Sequence, residues 1–183
     1  MTIAENRIEE VIRFWFDELT PQQWFVRDDA VDRSIRERFL PLYESVSAHP
    51  AEVVPTTARQ ALATVLVLDQ LPRNLFRGSA RAFATDARAL AIAEQAVASG
   101  WDRELSAPQR MFLYMPFQHA EDREIQSRSV ALFAALGVEQ SLDYAHRHQE
   151  VIERFGRFPH RNAALGREST REEMEFMKHH PGF

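Results

Sequence analysis

The sequence contains no cysteine, which excludes a disulfide framework, cysteine-ligated zinc, iron–sulfur clusters and thiol catalysis. That absence fits a reducing compartment. Long hydrophobic runs are missing too. Stretches such as Ala61 to Leu68 stop far short of the roughly 20 residues of a membrane span. The opening Met1-Thr2-Ile3-Ala4-Glu5-Asn6-Arg7 carries an acid early and lacks a signal-peptide core. Nor is there a basic excess: the net charge is −5, from acids and bases mixed along the chain. A general nucleic-acid binder would show a basic stripe. These absences predict a soluble, cytoplasmic protein whose partners include neither nucleic acid nor membrane. No convincing pair of strands and no 34-residue tetratricopeptide consensus can be found.

What is present is helical periodicity in a chain of 183 residues, 45% of them hydrophobic. At this size roughly 70% of the unfolded chain's surface can be buried, so residues 1–183 are expected to form one all-α domain of about eight helices. Thr2 and Glu5 make a capping-box pattern ahead of Ile8, Val11, Ile12, Trp15 and Leu19; Pro21 ends that helix, and Trp24-Phe25 reads as an aromatic plug. A second helix starts near Asp28 or Asp29, with a kink or break expected at Pro41, and His49 to Pro55 reads as a loop. The third, Thr57 to Leu71, is apolar nearly all round and therefore central. Pro72 to Gly78 is expected to be a turn. Further helices are predicted from Phe83 to Ser99, from Ser106 (boxed by Gln109) to a disruption at Pro116, from Ala120 to Leu136, from Ser141 to Phe155, and from Thr170, boxed by Glu173, with Met174 and Met177 inward.

Polar residues gather in the connections. Leu68-Asp69-Gln70-Leu71-Pro72-Arg73-Asn74 and Phe155-Gly156-Arg157-Phe158-Pro159-His160-Arg161-Asn162 each follow a strongly helical segment. Both continue Arg-Asn, three residues, Gly, about 88 residues apart. Asp69, in the last turn of an apolar helix, faces the negative end of the dipole and needs a cation, for which Arg73 is nearest. Gln70 and Asn74 are amides beside a proline, and Asn is an ordinary turn residue. Three potential cations, Arg157, His160 and Arg161, exceed what a helix C-terminus absorbs. The surplus points to an anionic ligand or to an internal network with Asp69 and Glu121, since arginine's planar fork suits carboxylate and phosphate. His119 sits in a link before Glu121 and Asp122, which are read as first-turn acids. With Glu121 and His160 it matches no defined metal-ligand motif, and no metal site is assigned. His146, His148, His179 and His180 are expected at the surface.

Four segments, in order, resemble a family numbered 924 among the domains of unknown function: Leu68 to Asn74, Arg81 to Asp86, Pro116 to Asp122, and Gly156 to Asn162. Val11 to Phe16 and Leu165 to Thr170 are similar to it as well. The resemblance covers nearly the whole chain. It implies a tetratricopeptide-like helical-hairpin array and carries no established activity or cofactor. Many members have Ser where Ala120 stands and Phe where Leu71 stands. The first departure counts against a hydroxyl nucleophile beside His119.

Three functions are weighed. The first is a binding module whose groove collects Asp69, Gln70, Arg73, Asn74, His119, Glu121, Arg157, His160, Arg161 and Asn162 around a small anionic metabolite or a peptide carboxylate. The second is an enzyme with His119 or His160 as general acid/base, oriented by Glu121 or Asp69, its arginines stabilising negative charge. In the third, the same motifs are internal caps and ion pairs. Sequence identifies no ligand, cofactor or oligomeric state.

Overall fold

The computed structural model describes residues 3–49 and 52–180, and every regular element among them is helical. Helix α1 spans Glu5–Arg13 and widens into a π turn at Phe14–Glu18. The expected Thr2 cap and residues 50 and 51 of the expected loop lie outside the described residues. Trp24 donates its indole N–H to the Trp15 carbonyl at 2.7 Å, which seats the following loop. Phe25 stays at the surface, 65% exposed.

Helix α2, Asp29–Ala48, is capped by the Asp28 carboxylate, which accepts from Ala30 and Val31 N–H. It runs unbroken through Pro41. The Glu37 carbonyl that loses its donor belongs to an exposed residue, so water can satisfy it.

The central element is α3, Ala58–Val65, capped by Thr57. A π turn at Leu66–Gln70 joins it to α4, Leu71–Leu75. Every residue from 61 to 72 is buried, and α3 packs against α1 and against two later helices, α5 (Asp86–Ala98) and α6 (Ala107–His119). The helix therefore passes the proline expected to stop it. Ser106 and Gln109 form the expected capping box, but α6 continues through Pro116 to His119. Helix α7, Arg123–Leu136, starts three residues later than predicted because Asp122 is its N-cap, not a first-turn acid.

Helix α8 covers Glu139–Phe155 and packs on both α7 and α6. Gly156 follows at φ 69, a left-handed closure open to glycine at little cost. The last helix, α9 (Arg171–His179), carries the Thr170–Glu173 box. Its inward residues are Glu173, which is buried, and Phe176 and the expected Met177, which are half-buried. Met174 is 54% exposed, so its predicted burial is corrected. The glutamate turns in because Arg157 and Thr170 satisfy it there.

Candidate functional site

The site begins with Pro72. A proline has no N–H, and its ring presses on the carbonyl four residues back, here that of Leu68. The chain widens into the π turn, with Leu71 N–H bonding the Leu66 carbonyl. The acceptors this strands are taken by side chains. Thr85 Oγ1 donates to the Leu68 carbonyl at 2.6 Å, and Arg73 Nη1 donates to the Asp69 carbonyl. π turns recur at functional sites. This one delivers Asp69, wholly buried, to the centre of the polar cluster.

The Asp69 carboxylate accepts from Gln70 Nε2 at 2.5 Å, lies 2.8 Å from His119 Nδ1, and stands 3.4 Å from Arg73 Nη1. Burial alone would raise its pKa. The charges of Arg73 and His119 and the hydrogen bonds outweigh burial and hold it below the usual carboxylate range. Arg73 also grips Asp86, the first residue of α5, with two bonds of 3.0 and 3.1 Å. Arg161 reaches the same carboxylate through Nη1 at 3.3 Å. Burial, opposed by Arg73 but reinforced by the negative charge of Asp69, pushes Asp86 above its ordinary value.

Arg161 is 6% exposed, with its guanidinium 4.7 Å from the Phe83 ring centre and 4.6 Å from that of Phe158. Its buried Nε has no hydrogen-bond partner. Burial, and then the charge of Arg73, lowers its pKa to about 10.

His119 closes α6 with its side chain 15% exposed. Gln126 Nε2 fastens this helix end, donating to the carbonyls of Gln118 and Ala120 at 2.7 and 2.8 Å. Burial and then Arg73 lower the His119 pKa below the usual imidazole value, against the pull of Asp69. The His148 ring lies 6.4 Å from it, centre to centre. His148 is buried, contrary to the expected surface position, and its Nδ1 lies 2.7 Å from the Tyr144 carbonyl. It falls on the Ala145/Val151/Ile152 stripe of α8, a spacing that could have revealed it. Burial takes its pKa to about 3, and burial with Arg161 takes His160 to about 4.

The remaining predicted residues form two other groups. Glu121 lies before α7 and accepts from Arg167 at 2.6 and 2.9 Å and from Phe158 N–H at 2.8 Å. Despite its burial these donors hold its pKa low. Arg157 forms two bonds to Glu173, at 2.6 and 2.9 Å, and Asn162 donates to Ser169 and Glu173. On the opposite side, Asn74 and Arg77 both donate to Asp32 of α2. Of the ten predicted residues, Asp69, Gln70, Arg73, His119, His160 and Arg161 thus come to one cluster or its edge, while Asn74, Glu121, Arg157 and Asn162 tie loops to helices. No group of three histidine or acidic residues is arranged to hold a metal among the described residues. Two surface grooves, one around Gln22–Asp29 and one around Arg154 and His180, lie apart from the cluster. Sequence reasoning missed Asp86, His148, Phe83 and Arg167. Asp86 ends the Arg81–Asp86 segment and falls in the first turn of the helix expected from Phe83 to Ser99.

A model of a family of bacterial proteins of unknown function, DUF924, matches residues 11–181. The chain belongs to that family. Its membership agrees with the resemblance carried by the polar segments. This DUF924 chain is also similar to a solved structure, that of protein of unknown function ATU0120 from Agrobacterium tumefaciens. The two share 38% identity over 94% of this chain and 97% of the other, with a TM-score of 0.88. A comparison with curated proteins gives no match.

Proposed function

We propose that this protein is an enzyme in which His119 takes and returns a proton, oriented by Asp69, while Arg73 and Arg161 stabilise negative charge on a small substrate. One observation carries the reading: His119 Nδ1 lies 2.8 Å from a fully buried carboxylate. An ionised partner there keeps the ring proton on Nδ1 and leaves the Nε2 lone pair for a substrate. Among the described residues no hydrogen bond engages Nε2, and the ring reaches the surface. The lowered pKa keeps the imidazole neutral near pH 7, the state a base requires.

A covalent hydrolase is less well supported. Ala120 stands beside His119, cysteine is absent, and the Thr85 hydroxyl is committed to Leu68. The fitting reaction class is proton transfer at the substrate or activation of a water. Glu121, Glu173, Arg157 and Arg167 are better read as a clamp, since each has its charge partner within 2.9 Å.

Nitrogen-15 NMR tests the assignment. His119 is expected as the neutral Nδ1–H tautomer at pH 7, and Asp69→Asn should alter that tautomer balance. Protonation at both nitrogens at pH 7, or a dominant Nε2–H tautomer, would sink the base. In a substrate screen, His119→Gln should lower turnover about 10²-fold or more.

A further inference from the structure

The least satisfied strong donor in the cluster is Arg161. It is more than nine-tenths buried, its guanidinium carbon lies over the rings of both Phe83 and Phe158, its Nε has no partner, and its bond to Asp86 is long at 3.3 Å. Asp86 is already held twice, at 3.0 and 3.1 Å, by Arg73. A buried guanidinium normally fills its donor positions, and an orphaned one calls for an explanation.

We propose that Arg161 and Arg73 form a binding site for one oxyanion group, carboxylate or phosphate, for which the Asp86 carboxylate competes. The planar guanidinium fork suits such a group. Asp86 contacts both arginines and so occupies the position an incoming carboxylate would take. This deepens the acid–base reading of the same site, and it rests on that reading for the fate of the proton.

Charge balance fixes that fate. Asp69 and Asp86 offset Arg73 and Arg161, and the neighbouring His119, His148 and His160 are neutral near pH 7; Glu121 is offset by Arg167. An added monoanion leaves one unbalanced negative charge in a buried setting, which favours entry together with a proton. His119 Nε2 is one acceptor open to it, and the displaced Asp86 carboxylate is the other.

The test is calorimetric titration of the full chain with inorganic phosphate and, separately, acetate, in two buffers of different ionisation enthalpy. Binding of one or both probes is expected, with uptake of about one proton. Asp86→Asn should tighten binding about tenfold or more, a gain that an unfolded variant cannot mimic. Arg161→Gln should weaken it about tenfold, and Arg161→Lys, which keeps the charge but loses the fork, should not restore it. Unchanged affinity in Arg161→Gln, no gain in Asp86→Asn, or no binding of either probe by wild type and Asp86→Asn would overturn the oxyanion site. His119→Gln separates the two readings. Loss of proton uptake with binding retained supports both, whereas retained uptake leaves the oxyanion site standing, gives the proton to Asp86 and removes His119 as the base.

Discussion

The two Arg-Asn turns begin alike and end in different states. In each, the asparagine amide donates to a carboxylate in the first turn of another helix: Asn74 to Asp32 of α2, Asn162 to Glu173 of α9. In each, a later arginine adds a two-bond ion pair, Arg77 to Asp32 and Arg167 to Glu121. Each reaches a glycine in the left-handed region, Gly78 at φ 72 and Gly166 at φ 65. The leading arginines, Arg73 and Arg161, meet on Asp86. There the likeness stops. Arg73 has a carbonyl and two carboxylates, whereas Arg161 has one long bond and an orphaned Nε. The same sequence pattern has produced a well-paired arginine in the first turn and an undersaturated donor in the second.

Acid should separate the turns most. His160 stands between Pro159 and Arg161, and no histidine stands between Pro72 and Arg73. The folded values of His160 and His148, about 4 and about 3, lie below their ordinary 6.5. Between those limits the unfolded chain binds protons that the folded chain refuses, so stability falls as pH drops below about 6.5. One pH unit across one such group is worth about 1.4 kcal/mol, so a loss of about 3 to 5 kcal/mol is expected between pH 6.5 and 4.5. Urea unfolding measures it. Amide exchange should rise at residues 158–166 before 71–78, and simultaneous loosening would erase the proposed asymmetry.

Truncation should sharpen the contrast next. Arg73→Met leaves Asp69 buried with less compensation and is expected to cost about 3 to 5 kcal/mol. Arg161→Met, replacing a chain whose guanidinium lies over two rings, should cost only about 1 to 2 kcal/mol. Equal losses in thermal denaturation would mean that Arg161 is as fully used as Arg73. The smallest effect is expected at the asparagines. Asn162→Ala, at a site 1% exposed, should cost about 1 to 2 kcal/mol and exceed Asn74→Ala, which is half-buried, by a few tenths. A reversed order would put the tighter clamp on the α2 side.

Much of the fold was legible because its signals are local. The Ser106/Gln109 and Thr170/Glu173 boxes, the left-handed Gly100, Gly137 and Gly156, and the apolar stretch 61–68 all act within a turn or two of chain. Pro72 is the proline whose effect depends on a distant partner. Pro72 does not stop the helix, since Thr85 supplies a hydroxyl from 17 residues away. The site was legible in its residue types and not in its pairings. Asp69, Arg73, His119 and Arg161 stood out as polar groups in apolar surroundings. That Asp86 would join the two arginines is a fact of tertiary packing, and His148 was hidden by its proximity to the exposed His146.

The π turn at Leu66–Gln70 also changes the phase of its helix. A turn wound with one more residue than its neighbours shifts everything after it by about 100° relative to an unbroken α-helix. The segment before it keeps an apolar stripe against α1, α5 and α6, while the segment after it presents a proline, an arginine and an asparagine to a different set of neighbours. One rod thus carries two orientations, with Asp69 at the seam. The aspartate's direction is set by the count of residues in that turn as much as by its own identity, so a one-residue deletion there would re-aim it without changing any residue of the cluster.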